Sequence, residues 1–276
     1  MYLHFYHFRK SPFHITPDPE FLFLSPSHKE ALGTIIYGIE ERKGFVAIIG
    51  EVGLGKTTIL RSYLEKVDPQ KVRVIYILNP NVSFADLVRI IYQELGLQVE
   101  SEDLLEQITR LYHVLIEEYK AGRNVVLVID EAQNMPVETL ENLRMLSNLE
   151  TATDKLIQIV LVGQPELEEK LNRHELRQLR QRIAIRATIV PLTQAESMAY
   201  IQHRLALVSM RRGPIFTKGA LKLIVKQAKG VPRTLNILCD NALIAGFGYQ
   251  QKPITTKIAK EVIADFEQKP SHPLLR

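Results

Sequence analysis

Up to about residue 190, the hydrophobic residues of this 276-residue chain follow two alternating patterns. Short apolar runs, typical of buried parallel strands, are followed by amphipathic stretches with the period of a helix. The predicted strands are FVAIIG, VRVIYIL, NVVLVID, KLIQIVLVG and IAIRATIV. Strands that alternate with helices in this way predict an α/β fold, with helices covering both faces of a parallel sheet.

The strand pattern stops at Pro191, and the two ends of the chain differ from its middle. Four helical runs follow that proline: TQAESMAYIQHRLALVS, TKGALKLIVKQAK, PRTLNILCDNALIAGF and TTKIAKEVIADFEQ. Residues 1–30 are rich in Phe and Pro, which predicts an extended segment anchored by burial of its aromatic rings. We therefore predict four parts: an N-terminal linker with a first helix (1–43), an α/β domain (44–190), a helical domain (191–268) and a tail (269–276).

A glycine-rich motif, GEVGLGKTT, lies between the first predicted strand and the next helix and matches G-x-x-x-x-G-K-[ST]. Its glycines allow successive backbone N–H groups to turn around a phosphate. Lys56 is expected to reach the β- and γ-phosphates, and the Thr57 hydroxyl can ligate Mg²⁺. The residues predicted to bind nucleotide are Gly50, Glu51, Val52, Gly53, Leu54, Gly55, Lys56, Thr57 and Thr58.

Two adjacent acids, Asp130 and Glu131, follow the third predicted strand. We expect Asp130 to orient Mg²⁺ together with Thr57. Glu131 is expected to polarise a water for in-line attack on the γ-phosphoryl group. Because the chain has no Asn-Lys-x-Asp element for reading guanine, ATP is the predicted nucleotide.

Two further polar residues follow predicted strands. Asn79 is a candidate partner of Glu131, although a turn former before Pro80 is an equally good interpretation. Gln164 is predicted to hold the attacking water or to sense the γ-phosphate.

Composition limits the cellular compartments in which the chain is expected. It is 46% hydrophobic and 24% charged, without an apolar run long enough to span a membrane or to form a signal peptide. The one cysteine, Cys239, lies in an apolar helical pattern and predicts a small buried side chain. These features favour a cytoplasmic location.

Charge is unevenly distributed along the chain. From Pro191 onward there are 13 Lys/Arg and 5 Asp/Glu, a balance of +8, against +4 for the whole chain. A basic C-terminal third suits nucleic acid, nucleotide phosphates or an acidic protein face, and a solvated lysine-rich surface is the competing interpretation.

These motifs resemble those of AAA+ ATPases, which have a parallel sheet of order 5-1-4-3-2 followed by a helical lid. The stretches PFxxTPDPxFLFLSPSHxEAL, LRMLSNLET, QIVLVGQPEL and GVPRTLN are similar to the ExeA/GspA branch, the general secretion pathway protein A ATPases. The resemblance runs from about Phe5 to about Phe266. Full-length members continue into a transmembrane segment and a periplasmic domain, so we expect either the ATPase part of a longer protein or a short family member.

The resemblance implies further site residues. Arg233, at the start of a lid helix, is expected to fold over the γ-phosphate. An arginine finger is expected from a neighbouring subunit, with Arg182 the first choice and Arg180 the second among the basic residues Arg173, Arg177, Arg180 and Arg182. Pro12, Phe13 and His28 are candidates for the adenine pocket, with core packing equally expected for each.

The function implied is that of an ATP- and Mg²⁺-dependent AAA+ homo-oligomer, a ring or a filament, that drives assembly of a cell-envelope secretion or export apparatus. It would work in the cytoplasm or at the inner membrane through a protein partner. The alternative is a DNA-bound ATPase similar to transposition regulators, to which the basic lid would contribute.

Overall fold

The computed structural model describes residues 2–99, 101–211 and 213–268; the predicted tail, 269–276, lies outside them. Their contacts divide them into two compact units. The α/β unit comprises residues 26–52 and 56–189. The helical unit comprises residues 2–25, 53–55 and 190–268.

The α/β unit is built on one parallel sheet of five strands. The strands are β1 (Phe45–Gly50), β2 (Val72–Ile77), β3 (Asn124–Ile129), β4 (Ile157–Gly163) and β5 (Ile183–Ile189). Their order, β2-β3-β4-β1-β5, confirms the predicted 5-1-4-3-2 arrangement. β1, β3 and β4 are buried along their whole length, which explains why their sequences are continuously apolar.

Helices connect the strands and make up most of the helical unit. In the described residues they are α1 (Tyr2–Tyr6), α2 (Pro26–Glu40), α3 (Lys56–Leu64), α4 (Phe84–Glu94), α5 (Leu104–Lys120), α6 (Val137–Ser147), α7 (Pro165–Leu171), α8 (Arg177–Arg182), α9 (Gln194–Val208), α10 (Lys218–Ala228), α11 (Pro232–Gly248) and α12 (Thr256–Gln268). Between β4 and β5 the helical stretch is interrupted after Leu171, with a short 3-10 turn at His174–Leu176.

The helical unit contains the N-terminal segment as well as α9 to α12. Phe8, Phe13 and Phe21 are buried in its core, as their apolar character predicts, whereas Phe5 and Phe23 are half-buried at its edge. The segment is not extended throughout, because Tyr2–Tyr6 forms α1. Cys239 is fully buried in the same core, which confirms its predicted packing role.

The turn before α11 depends on glycine. Gly230 has φ of 79°, and a Cβ at this position would lie 2.1 Å from the carbonyl oxygen of Leu192. Leu192 N–H also donates to the Gly230 carbonyl, with an N···O distance of 2.9 Å. Pro232 then begins the helix at a position where the missing N–H costs no intrahelical bond. The motif GVPR is thus a glycine turn followed by a helix start.

Candidate functional site

The candidate site lies at the carboxyl edge of the parallel sheet, where several strands end side by side. Ile49 of β1 pairs with Gly163 of β4, and Ile77 of β2 pairs with Ile129 of β3. The residues that follow these strands are therefore neighbours in space. In open parallel sheets this edge is the usual place for ligands.

The glycines of the phosphate motif serve two different purposes. Gly53 and Gly55 have φ of 79° and 93°, the left-handed region that glycine enters without strain. Gly50 does not, but a Cβ there would lie 2.8 Å from the carbonyl oxygen of Ile189, so β5 requires its smallness. The predicted backbone freedom thus applies to Gly53 and Gly55, and close strand packing accounts for Gly50.

Lys56, the first residue of α3, is buried with 7% of its surface exposed. Its Nζ donates to the carbonyl oxygens of Gly50 at 2.6 Å and Glu51 at 3.0 Å. Burial lowers the pKa of the Lys56 ammonium, and the nearby carboxylates of Glu131 and Asp130 oppose that shift. The loop thus holds a buried cation at the positive end of a helix, a combination that attracts anions.

Asp130 joins this loop to the end of β3. Its Oδ2 accepts hydrogen bonds from Thr57 Oγ1 at 2.9 Å and from Tyr76 Oη at 2.8 Å. Thr57 and Asp130, the two residues predicted to bind metal, are therefore adjacent. A hydroxyl beside a carboxylate is the oxygen chemistry that suits Mg²⁺.

Tyr76 was not among the sequence-based candidates. Burial raises the pKa of its phenol, and the adjacent Asp130 carboxylate raises it further, so the hydroxyl stays a proton donor. The only sequence signal for this role is its position one residue before the last residue of β2.

Glu131 has an unusual backbone, with φ of 52° in the left-handed region. Its Oε2 accepts hydrogen bonds from Gln133 Nε2 at 2.6 Å and from Gln164 Nε2 at 2.9 Å. The structure therefore brings Gln164 to Glu131, and it adds Gln133, which the motif comparison did not single out. A non-glycine residue held at positive φ next to reactive groups is a frequent feature of functional sites.

The predicted hydrogen bond from Asn79 to Glu131 is not formed. β2 ends at Ile77, and the pairing with β3 ends where Asp130 N–H donates to the Ile77 carbonyl at 3.0 Å. Asn79 therefore lies two residues beyond the strand and is exposed. Gln133 and Gln164 take the place expected for it.

Arg233 contacts the phosphate motif through its backbone. Its N–H donates to the carbonyl oxygen of Gly53 at 3.2 Å. A Cβ on Gly53 would lie 2.8 Å from Arg233 Cβ and 3.2 Å from Val231 Cγ1. Arg233 is half-buried, and its guanidinium has no hydrogen-bond or ion-pair partner among the described residues.

The basic residues before β5 differ in how they are held. Arg182 is half-buried, and its Nη1 donates to Ser147 Oγ at 2.7 Å and to Asn148 Oδ1 at 2.5 Å. Arg180 is exposed and donates to Asn172 Oδ1 at 2.9 Å. Arg173 and Arg177 are also exposed. Arg182 is thus the one of the four with a side chain oriented by two neutral partners.

The three adenine candidates are all buried. Phe13 packs edge-on against Phe216, and the carbonyl oxygen of Pro12 accepts from Arg204 Nε at 2.5 Å, so both belong to the core of the helical unit. His28 is buried on α2 in the α/β unit. The packing role is present for Pro12 and Phe13, and contact with adenine stays a prediction.

Comparison with known proteins decides the family. Residues 39–171 match the family model described as an AAA domain. The chain is 41% identical over 248 residues to general secretion pathway protein A of Aeromonas hydrophila. The chain belongs to the AAA+ ATPases. This AAA+ chain is related to general secretion pathway protein A; the match covers 90% of the chain but only 45% of that relative's length.

Solved structures agree with this assignment at the level of the fold. The AAA+ chain is similar to the ORC2 protein of Aeropyrum pernix, determined as ADPNP–ADP complexes, with a TM-score of 0.69 and 18% identity over 94% of this chain and 72% of that one. It is also similar to Cdc6p of Pyrobaculum aerophilum, with a TM-score of 0.63 and 19% identity over 89% and 71% of the two chains. In the described part of the AAA+ chain no helix has the length and apolar character needed to cross a membrane.

Proposed function

We propose that this AAA+ chain binds Mg²⁺·ATP through the loop Gly50–Thr58 and hydrolyses its γ-phosphate, with domains 44–190 and 191–268 acting as nucleotide-binding domain and lid. The observation that carries the proposal is the 2.9 Å hydrogen bond from Thr57 to Asp130, because it joins the phosphate loop to the strand-end acid. When bound, Mg²⁺ neutralises phosphate charge. Lys56 would supply a buried cation for the same phosphates.

Glu131 is the proposed general base, with Gln164 beside it. Its carboxylate lies one residue after Asp130 and is oriented by two amide N–H groups. A base so placed can take the proton of the attacking water. Arg233, at the start of α11 and bonded through its N–H to Gly53, is the proposed cation that closes on the phosphates.

Two variants test the assignment. Lys56→Ala should lose ATP binding, measured by anisotropy of a fluorescent ATP, because the loop loses its buried cation. Glu131→Gln should bind ATP normally and lower the rate of phosphate release by about a hundredfold or more. Normal turnover by Glu131→Gln would refute its role as base. Glu65→Gln, an exposed glutamate just after α3, is the matched control.

We further propose that the active form is a homo-oligomer in which Arg182 completes a neighbour's site. Its guanidinium is held by uncharged Ser147 and Asn148, and the carboxylate of Glu150 interacts with it only at longer range. Arg182→Ala and Lys56→Ala should each be inactive alone. An equal mixture should regain part of the turnover, because one variant supplies the site and the other the arginine. A mixture without activity would count against an arginine acting between subunits.

The relationship to general secretion pathway protein A supports a role in a cell-envelope secretion or export apparatus. We propose that the chain acts on the cytoplasmic side, at the inner membrane through a protein partner. Deletion of the gene should block export of an envelope or secreted component, and the Glu131→Gln variant should fail to restore it.

A second candidate function, ATP-dependent binding of DNA, is favoured by one observation. Six exposed lysines on or next to α10 and α12 form no ion pair with any described residue; they are Lys218, Lys222, Lys226, Lys229, Lys257 and Lys260. Such a surface neutralises phosphates and makes affinity fall steeply with salt.

The test is the salt dependence of binding to a fluorescent 30-base-pair duplex with ATP present. Charge reversal at Lys222, Lys226 and Lys260 should flatten the slope of log affinity against log salt by about two to three. Reversal at the exposed Lys66 and Lys71 of the α/β unit is the control and should leave the slope unchanged. No binding at low salt would eliminate this candidate.

A further inference from the structure

Three residues that follow β3 and β4, Glu131, Gln133 and Gln164, form a closed ring of hydrogen bonds through their side chains and one backbone N–H. Gln133 Nε2 and Gln164 Nε2 both donate to Glu131 Oε2, at 2.6 and 2.9 Å. The ring closes because the backbone N–H of Gln164 donates to Gln133 Oε1 at 3.1 Å. Gln133 is thus the only member that binds one neighbour as donor and the other as acceptor through a single amide.

The backbone N–H of Gln164 determines which way the Gln133 amide faces. A backbone N–H can only donate, so the Gln133 atom opposite it has to be the carbonyl oxygen. The NH₂ group of Gln133 is then directed at the Glu131 carboxylate. A reversed amide would lose both bonds.

The loop that carries Gln133 is itself held in place. Glu131 lies in the left-handed region, and Ala132–Asn134 forms a 3-10 turn after it. Lys170 of α7 donates from Nζ to the carbonyl oxygens of Gln133 at 2.5 Å and Met135 at 2.8 Å. A ring of this kind holds a side chain in one orientation when every member is satisfied.

We propose that Gln133 is a positioning residue that holds the Glu131 carboxylate in the orientation needed to activate water; this inference rests on Glu131 being the base of the proposed hydrolysis. The amide of Gln164 donates to Glu131 in this structure, but its predicted role is to contact the attacking water or the γ-phosphate. In that role it would no longer bind Glu131. Gln133 is then the remaining side-chain amide on the carboxylate. The task therefore belongs to Gln133 during turnover.

Two substitutions separate positioning of Glu131 from support of the loop. Gln133→Glu keeps an oxygen to accept from Gln164 N–H but replaces the donor to Glu131 by a like charge. Gln133→Ala removes both contacts. If Gln133 positions the base, both variants should lower kcat, by about tenfold to a hundredfold, with Gln133→Glu at least as impaired as Gln133→Ala. Support of the loop alone predicts a nearly normal Gln133→Glu.

The split between binding and turnover provides the second readout. Neither variant should change the affinity for ATP by more than about twofold, since the hydrogen bonds of Gln133 go to Glu131, Gln164 and Lys170 and not to the phosphate loop. In a Glu131→Gln background, Gln133→Ala should cause no further loss, because its effect passes through that carboxylate. Asn134→Ala, on the exposed next residue of the same turn, is the matched control and should behave as wild type.

The outcomes distinguish the two proposals. A wild-type chain that binds ATP without hydrolysing it in its assembled form would refute the proposed hydrolysis. A wild-type chain that hydrolyses ATP while Gln133→Glu matches Asn134→Ala in kcat would refute only the positioning role. Additive losses for Gln133→Ala and Glu131→Gln would also refute it, because the two residues would then act independently.

Discussion

Two hydrogen-bonded clusters, one in each unit, are built on opposite charges. The strand-end cluster of the α/β unit has two carboxylates, Asp130 and Glu131, that accept from Thr57, Tyr76, Gln133 and Gln164. The Arg204 cluster of the helical unit has one guanidinium, 6% exposed. It donates to the carbonyl oxygens of Pro12 and His14 and to the Tyr200 hydroxyl.

The two clusters differ in whether their charged groups are fully hydrogen-bonded within the unit. Arg204 is satisfied within its own unit by groups that join the N-terminal segment to α9, and Tyr200 passes the network on to Asn236 at 2.9 Å. The strand-end cluster places two carboxylates at a strand edge with a buried lysine close by. We therefore expect loss of the first cluster to reduce stability and loss of the second to reduce binding and turnover.

The largest expected effect is that of Arg204→Met. Methionine keeps the apolar stem but leaves the buried Pro12 carbonyl, the partly buried His14 carbonyl and the Tyr200 hydroxyl without this donor. The loss should cost about 3 kcal/mol of unfolding free energy. Urea denaturation followed by circular dichroism measures this. Arg211→Met, at an exposed arginine of the same unit, is the control. Equal stabilities of the two variants would contradict the anchoring role of Arg204.

Tyr200→Phe should have the next largest effect, a loss of about 2 kcal/mol in unfolding free energy. The change removes the acceptor of Arg204 Nη1 at 2.8 Å and the donor to Asn236, both in a buried setting. Turnover per folded molecule should stay the same, since Tyr200 contacts no residue of the proposed site. A loss of kcat with normal stability would mean that this cluster also serves the chemistry.

Tyr76→Phe is the counterpart in the α/β unit. It removes one of the two hydroxyl donors to Asp130 Oδ2, at a cost of about 1 kcal/mol in stability. Affinity for Mg²⁺·ATP should fall about tenfold, because the second donor orients the proposed metal ligand. Titration calorimetry against ATP with and without Mg²⁺ separates the two contributions. If both tyrosine variants changed only stability, the contrast between the clusters would disappear.

The smallest effect concerns pH. The hydrogen bond from Arg123 lowers the pKa of Glu118 below its usual 4.5, with Arg73 adding to it. This pair should therefore stabilise the fold fully above about pH 4.5 and lose that contribution as the pH falls through the lower folded-state pKa. Glu118→Gln should lose less stability than wild type between about pH 6 and pH 3 in urea titrations. An identical acid dependence would show that other carboxylates dominate.

The α/β framework was predictable because its signals are local. Each buried strand is a short apolar run, and Ser83, a residue type that favours helix starts, caps α4 by accepting from the N–H of Asp86. The phosphate motif then locates the carboxyl edge of the sheet, which explains why Thr57 and Asp130 were placed together correctly.

The rest depends on contacts that no local pattern encodes. The Tyr76 hydroxyl donates to Asp130, which lies 54 residues further along the chain. Gln133 reaches Glu131 because Glu131 has a left-handed backbone, which sequence patterns rarely indicate for glutamate. The hydrogen bond predicted for Asn79 is not formed because β2 ends at Ile77, one residue before the end of the apolar run VRVIYIL. The N-terminal segment was predicted to be anchored by its aromatic rings. Its hydrogen bonds to Arg204, about 190 residues further along the chain, could not be predicted from a local pattern.

Gly53 occupies a position that the phosphate motif leaves free to vary. A side chain there would meet both Val231 and Arg233 while its backbone is held at positive φ. A descendant of this protein that replaces Gly53 would therefore need a compensating change in the turn before α11. Across relatives, these two short stretches, almost 180 residues apart in the chain, should vary together rather than singly.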